Sequence, residues 1–366
     1  MKILVGMSGG VDSSVAALIL KEQGHEVIGA TMSIWGKSGV YKKIQEKLNS
    51  ITPKRTHGAC FGPDEKEDID SARNVAKQIG IPFYVFDCAE QYEDIVLKNF
   101  RKEYLQGRTP NPCVWCNALI KFDVLPHLAK LNGIEFDKFA TGHYARVEED
   151  NGRYLLKRGL NPKKDQSYFL YRLTQEQLGK IILPLGLFTK EEIRRIAKEY
   201  SLDVADKPDS QDFYEGDYNE LLNIEDKIGN IVDRTGKVLG KHRGIWNYTI
   251  GQRKGLGISS TEALYVVELN KDKNEVVVDY KDKTMKNKLI ATKLNWIGLE
   301  SLDGKMECFA KIRSSQEPQE VLVNLLDNGD LKVEFTNMQK SISAGQSVVL
   351  YKDDIVLGGG IIDEVL

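Results

Sequence analysis

Apolar positions in the first half of the chain recur with two alternating periods. Short, nearly continuous apolar runs at Lys2–Val5, Val27–Met32, Pro82–Phe86 and Phe136–Thr141 read as buried strands. Between them the spacing is helical. Ser13–Gln23 sets Val15, Leu18 and Ile19 on one face, and Asp68–Gln78 does the same with Ile69, Ala72, Val75 and Ala76, followed by Ile79. Glu90–Tyr104 and Asn117–Leu131 also read as helices. Strand–helix alternation predicts an α/β domain, a parallel sheet with helices on both faces. Such a sheet takes ligands beyond the carboxyl ends of its strands.

The pattern changes after about residue 205. Glycine becomes frequent and short β-branched runs appear at Gly229–Val232, Tyr265–Leu269, Glu275–Val278, Val321–Leu325, Lys332–Phe335 and Ser347–Tyr351. Turn-forming stretches such as Asp327-Asn328-Gly329-Asp330 and Ala344-Gly345 separate them. Two small antiparallel β domains are therefore expected after the α/β domain, giving boundaries of 1–210, 216–280 and 285–366. Gly36 to Ala59 is polar and lysine-rich and reads as an excursion from the first domain.

Composition narrows the class. With 366 residues, 41% hydrophobic and 28% charged, the chain resembles an ordinary globular protein of one to three domains. Met1 to Gly6 already reads as a strand, so no signal peptide is expected, and no apolar run approaches the ~20 residues of a membrane span. The five cysteines, Cys60, Cys88, Cys113, Cys116 and Cys308, are odd in number and widely spread, which points to a reducing, cytoplasmic setting. The net charge of -2 leaves nucleic acid open as a partner only if basic residues gather locally.

Candidate chemistry begins at Gly6-Met7-Ser8-Gly9-Gly10-Val11-Asp12-Ser13-Ser14, between the first strand and the first helix. Glycines let the backbone approach a phosphate, and the helix aims free N–H groups and its positive dipole end at the anion. The string lacks the Gly-Lys-Ser/Thr of a Walker A loop and is not a dinucleotide fingerprint. It resembles the pyrophosphate loop of the ATP pyrophosphatases, which cleave ATP between the α- and β-phosphates. That resemblance alone leaves an amidotransferase, a small-metabolite ligase and a tRNA thiolase open.

A Cys-x-x-Cys lies in Arg108-Thr109-Pro110-Asn111-Pro112-Cys113-Val114-Trp115-Cys116-Asn117, at the mouth of a predicted helix whose N-terminus favours thiolate. The stretch Gly107 to Phe122 resembles the tRNA-specific 2-thiouridylase family. So do Ala140-Thr141-Gly142-His143-Tyr144, Lys164-Asp165-Gln166-Ser167-Tyr168, Tyr248 to Gly257 and Ala344-Gly345-Gln346-Ser347, in family order over nearly the whole chain. The resemblance implies that Gly6, Met7, Ser8, Gly9, Gly10, Val11, Asp12, Ser13, Met32 and Gly142 hold ATP. It implies a catalytic Cys116, assisted by Cys113, with Asn111, Pro112 and Cys113 near the target base. His143, Lys164, Asp165, Gln166, Arg313, Ser314 and Gln346 would meet the tRNA.

Two departures from the family bear on mechanism. Many relatives carry an aspartate where Cys113 stands, and a second catalytic cysteine is missing from Asp209-Ser210-Gln211-Asp212-Phe213-Tyr214. Cys60, in Gly58-Ala59-Cys60-Phe61-Gly62-Pro63, offers a third thiol. Cys60, Cys113 and Cys116 together would suit a [4Fe–4S] cluster with one open iron. A zinc site completed by Cys88 and a Cys113–Cys116 relay are the alternatives.

From Lys227 to Lys254 seven basic residues face one acidic residue, with Trp246 and Tyr248 interleaved. That stretch is expected to contact phosphates and stack bases of an anticodon stem-loop. The expected reaction is ATP-dependent 2-thiolation of the wobble uridine, with Mg²⁺ on the phosphates and sulfur from a cysteine desulfurase or relay protein. The competing expectations are a ligase or amidotransferase adenylating a small metabolite, and a tRNA-binding protein without catalysis.

Overall fold

The computed structural model describes residues 1–36, 41, 44, 46, 59–209, 213, 214 and 216–366. Most of the lysine-rich excursion, and residues 210–212 of the stretch that lacks the second cysteine, lie outside the described residues. The chain forms two compact units. One comprises residues 1–97, 112–216 and 353–356, and the other residues 98–111, 217–352 and 357–366.

The first unit is built on a five-stranded sheet in the order β3-β2-β1-β4-β7, all neighbours parallel. Its strands are β1 (Lys2–Gly6), β2 (Glu26–Ser33), β3 (Phe83–Asp87), β4 (Lys138–Thr141) and β7 (Ile181–Ile182). Helices α1 (Val11–Glu22) and α2 (Glu65–Gln78) lie where helical spacing predicts them. Ile3 and Val5 of β1 share one core with Val15 and Leu18 of α1 and Val75 of α2. Strand order reverses at β1, whose neighbours are β2 and β4. The crevice beyond the carboxyl ends of β1 and β4 is the position where such a sheet takes its ligand.

The two longer predicted helices are interrupted. α3 (Ala89–Tyr92) runs into a π-helical turn at Glu93–Leu97 and then into α4 (Lys98–Leu105). α5 (Pro112–Trp115) runs into a π-helical stretch at Cys116–Val124 before α6 (Leu125–Leu131). A hairpin of β5 (Ala145–Asp150) and β6 (Arg153–Arg158), a short α7 (Gln175–Gly179) and α8 (Lys190–Glu199) complete the unit. α8 is held at its start by a reciprocal cap between Thr189 and Glu192 and contributes Ile193 and Ala197 to the core.

The second unit contains α4, α9 (Tyr218–Leu222) and two β assemblies. Phe100 and Tyr104 of α4 stack edge-on against Tyr218, at ring separations of 5.7 and 5.4 Å. Four strands, β8 (Gly229–Val232), β9 (Val238–His242), β10 (Tyr265–Asn270) and β11 (Glu275–Asp279), form a sheet in the order β10-β11-β8-β9. It is not purely antiparallel as expected, because β11 pairs parallel with β8, Val276 opposite Ile231. The long connection after β9 brings the chain back in the same direction, which a tight hairpin does not do.

The remaining strands close on themselves. β12 (Met285–Trp296), β15 (Leu331–Lys340), β14 (Gln319–Leu325), β13 (Lys305–Lys311), β16 (Ser347–Lys352) and β17 (Ile355–Val365) run in that order, and β17 pairs again with β12. Closure leaves this six-stranded barrel without a free edge. Among the described residues no helix is long and apolar enough to cross a membrane.

Candidate active site

The loop after β1 is closed by its own hydroxyls before any ligand arrives. The Ser8 amide donates to Ser13 Oγ at 3.0 Å, and the Ser14 hydroxyl donates to the Gly10 carbonyl at 2.9 Å. Gly9 holds φ at +74°, and a Cβ there would run into the Asp68 carbonyl. Gly142, just after β4, comes so near the loop that a Cβ would stand 2.7 Å from Asp12 C and Ser13 N. Both positions need glycine for close backbone approach. The structure thus joins Gly6–Ser13 to Gly142. Met32 stands half-buried near the end of β2, where Glu65 accepts from the Ser33 hydroxyl at 2.7 Å and the Trp35 amide at 2.9 Å.

Residues distant in sequence converge on this loop. One Asp12 oxygen accepts from the Tyr144 hydroxyl at 2.7 Å and from Lys190 Nζ at 2.6 Å. Lys190 also reaches Asp209 at 2.7 Å, and Asp209 meets Lys164 at 2.7 Å and Arg194 at 3.3 Å. Burial opposes ionisation of Asp209, but hydrogen bonds from Lys164 and Lys190 outweigh it and hold the carboxyl below its usual range. Lys207 Nζ donates to the Gly9 carbonyl at 2.9 Å and to Asp68 at 2.8 Å. Sequence reading missed Lys190, Arg194 and Lys207. Lys190 and Arg194 share one amphipathic helix that carries four basic residues, a weak sequence signal, and Lys207, beyond that helix, has none.

The thiols form a second cluster. Cys113 lies in α5, and Cys116 opens the π-helical stretch one turn later, so both share a helix face. Cys113 donates its S–H to Cys60, which draws the Cys60 pKa down and pushes that of Cys113 well up. Cys116 interacts electrostatically with both partners and with Lys121. π-Helical winding hydrogen-bonds residues five apart, which turns Lys121 towards the Cys116 face. Even so, burial pushes the Cys116 thiol up to about 11.

That corrects the expectation of a helix-activated thiolate at Cys116. The helix begins at Pro112, a full turn earlier, and burial outweighs what remains of the dipole. Cys88 is fully buried and burial pushes its thiol to about 12; Cys308 behaves alike. Among the described residues no group of three metal-ligating side chains has the spacing to hold a metal ion. Cys60, Cys113 and Cys116 are neighbours, but as placed they do not fit a cluster, nor does Cys88 complete a zinc site with them.

Comparison with known proteins decides among the readings the loop left open. Residues 1–214 match the family model "tRNA methyl transferase HUP domain", residues 222–279 its PRC-barrel domain and residues 286–362 the "Aminomethyltransferase beta-barrel domain". A tRNA-specific 2-thiouridylase MnmA from Endomicrobium trichonymphae is 48% identical over 99% of both chains. The protein of the same name from Clostridium perfringens is 46% identical over 100% of this chain and 99% of its own. That from Acetivibrio thermocellus is 45% identical over 99% of each.

The chain belongs to the tRNA-specific 2-thiouridylase family.

The positions that the family resemblance assigns to tRNA contact are placed unevenly. Asn111 is buried, Pro112 opens α5, Lys164 is spent on Asp209, and Arg313 donates to Ser343 Oγ at 2.7 Å, beside half-buried Ser314. Asp165 is buried, accepting from the Gly159 amide at 3.2 Å and the Ser167 amide at 3.1 Å, and Gln166 accepts from the Tyr144 amide at 2.9 Å. Gln346 is also buried, and its side chain donates to the carbonyls of Thr109 and Pro110 at 3.0 and 3.1 Å. These three side chains are engaged in holding backbone. His143 shares a 2.8 Å hydrogen bond with the Thr141 hydroxyl. Burial, and then the Lys121 charge, keep its pKa well below the usual histidine range, so the ring is neutral at pH 7.

The basic stretch is half as expected. Lys227, Arg234, Lys237, Lys241, Arg243, Arg253 and Lys254 are all exposed, though Arg234 pairs with Asp279 and Arg243 with Asp226. Trp246 and Tyr248 are not a stacking surface. Both are buried, and the Trp246 indole N–H donates to Asn219. Their rings supply the apolar core that a small β sheet needs, which outweighs display at the surface.

Proposed function

We propose that this chain is an ATP-dependent tRNA-uridine 2-sulfurtransferase that replaces O2 of the wobble uridine with sulfur. The observation that carries the reading is the end-to-end match, 48% identity over 99% of both chains, to a protein named for that activity. The pre-closed phosphate loop and the nearby thiols supply the two half-reactions such a replacement needs.

ATP binds across Gly6–Ser13 and Gly142, with Mg²⁺ accompanying it to offset phosphate charge. The base is taken from an unpaired anticodon loop, where it leaves its stack at small cost. Uridine O2 bonds to the α-phosphorus, the α–β bridging P–O bond breaks, and pyrophosphate leaves with the electron pair as the N3 proton is lost. The C2–O bond is now activated because AMP is a good leaving group.

Sulfur arrives as a persulfide on Cys116, loaded by a sulfane-sulfur donor such as a cysteine desulfurase or relay protein. Its terminal sulfur attacks C2 and AMP departs. A second thiolate then attacks the inner sulfur, closing a disulfide and leaving C2=S on the base. The hydrogen-bonded Cys60–Cys113 pair replaces the partner cysteine absent from this chain, and Cys60 carries the thiolate. An external dithiol resets the disulfide.

The test is an incubation of the full chain with unmodified tRNA, Mg²⁺–ATP and a persulfide donor, followed by nucleoside mass spectrometry. 2-Thiouridine, with AMP and pyrophosphate in equal amounts, is the expected product set. AMP formed without tRNA would instead favour a small-metabolite ligase. About four irons per chain after anaerobic purification, lost in Cys60→Ser, would replace the thiol relay with a cluster.

A further inference from the structure

Two ammonium groups end on the phosphate loop, and folding alone does not account for either. Lys190 is only 6% exposed, yet it opens α8, a helix already fixed by the Thr189 cap and by Ile193 and Ala197 in the core. A buried ion pair is often no more stabilising than apolar side chains of the same size. Lys207 reaches the loop from beyond α8 and gives one of its hydrogen bonds to the carbonyl of Gly9, a loop residue. Lys190 and Lys207 contact the loop at positions 12 and 9, three residues apart.

Among the described residues the charge of this cluster is also unbalanced. Lys164, Lys190, Arg194 and Lys207 share the three carboxylates Asp12, Asp68 and Asp209. Beside a loop whose amides precede a helix N-terminus, the surplus positive charge suits a polyanion rather than a neutral ligand.

We infer that Lys190 and Lys207 bind the β- and γ-phosphates of ATP and hold the pyrophosphate as it leaves. The inference rests on the proposed ATP-dependent reading. In that reaction the electron pair of the broken α–β bridge ends on pyrophosphate, and two ammonium groups placed there offset the developing charge. Asp12 and Asp209 hold Lys190 in position before the nucleotide arrives. Contacts made to the β- and γ-phosphates alone let the two lysines distinguish ATP from AMP.

The test is calorimetric titration of the full chain with Mg²⁺–ATP, pyrophosphate and AMP, which needs no tRNA and so stands apart from the thiolation assay. Lys207→Met and Lys190→Met are each expected to weaken ATP and pyrophosphate binding by about tenfold or more, with AMP unchanged within about twofold. Lys190→Arg is expected to recover most of the loss. Unchanged pyrophosphate affinity in Lys207→Met and Lys190→Met would overturn the inference, as would equal losses for AMP and ATP. If Lys190→Met does not fold, Lys207→Met decides alone. Absence of thiouridine from wild type, with the pyrophosphate effects intact, would sink the thiolation reading and leave this one standing.

Discussion

Removing the Cys113 thiol should change how Cys60 behaves and leave Cys116 almost untouched. At pH 7 an ordinary thiol of pKa 9.0 is about 1% thiolate, whereas Cys116 at about 11 is ionised to about 0.01%, a hundredfold deficit. Cys60 is exposed and its pKa lies below the ordinary value, chiefly because Cys113 donates a hydrogen bond to its thiolate. Thiolate fraction rises with pH and saturates above the pKa, so the Cys60 alkylation profile should saturate at a lower pH than that of a free thiol. Its plateau is lowered somewhat, because nucleophilicity falls with pKa. Timed iodoacetamide labelling between pH 6 and 10, read by peptide mass spectrometry, measures all five thiols together. Cys60 is expected to label first, Cys116 about a hundredfold more slowly than an ordinary thiol below pH 9, and buried Cys88 and Cys308 not at all in the native protein. In Cys113→Ala the Cys60 profile should move up towards pH 9, because the hydrogen bond that chiefly lowers its pKa is gone. Equal rates for Cys60 and Cys116, or a Cys60 profile indifferent to Cys113→Ala, would refute the thiol pairing.

Gly142→Ala should abolish ATP binding measured by calorimetry, since its Cβ would press on the loop backbone at 2.7 Å; tight binding would mean the loop gives way there. Gln346→Ala should lower thermal stability by about 2 kcal/mol through two lost buried hydrogen bonds, and loss of tRNA affinity at unchanged stability would instead make it a tRNA contact. Joint replacement of Lys241, Arg253 and Lys254 should flatten the salt dependence of tRNA binding by roughly one unit of slope per lost phosphate contact, and an unchanged slope would remove this face from the interface. Cys116→Ser should stop 2-thiouridine formation while pyrophosphate is still released, and thiolation at the wild-type rate would mean that sulfur travels on another group.

What the sequence made legible was local. The phosphate loop could be read because its chemistry lies in nine consecutive residues, whose glycines and hydroxyls build the turn by themselves. The parallel sheet could be read because buried strands and amphipathic helices differ in period, and β1, α1, β2 and β3 begin within two residues of expectation. Lys190 and Lys207 could not be read: they meet the loop across 178 and 198 residues of chain. The Cys60–Cys113 pairing is equally non-local. Trp246 was misread because cations on either side suggested a surface, whereas the tight 3-10 turn at Ile245–Asn247 turns Ile245 and Trp246 inward and leaves Asn247 exposed. The π-helical stretch at Cys116 left no periodic signature, since one added residue per turn is lost within so short a span.

The chain enters the second unit at Lys98, leaves it at Asn111, and does not return until Asp217. During synthesis, α4 therefore emerges long before the aromatic ring and the carbonyl it packs against, those of Tyr218 and Leu221, have been made. Over a hundred residues must be added first, about 5–20 s at the usual ~5–20 residues per second. The barrel waits longer still, because β12 closes against β17, the last strand. A ribosome stalled after α4 but before Tyr218 would thus present a helix with its Phe100 and Tyr104 face uncovered, and one stalled after β12 but before Ile355 an open sheet edge. Such a nascent chain is a client for a chaperone, and gene fragments cut at the apparent domain boundaries should be recovered chiefly as aggregates.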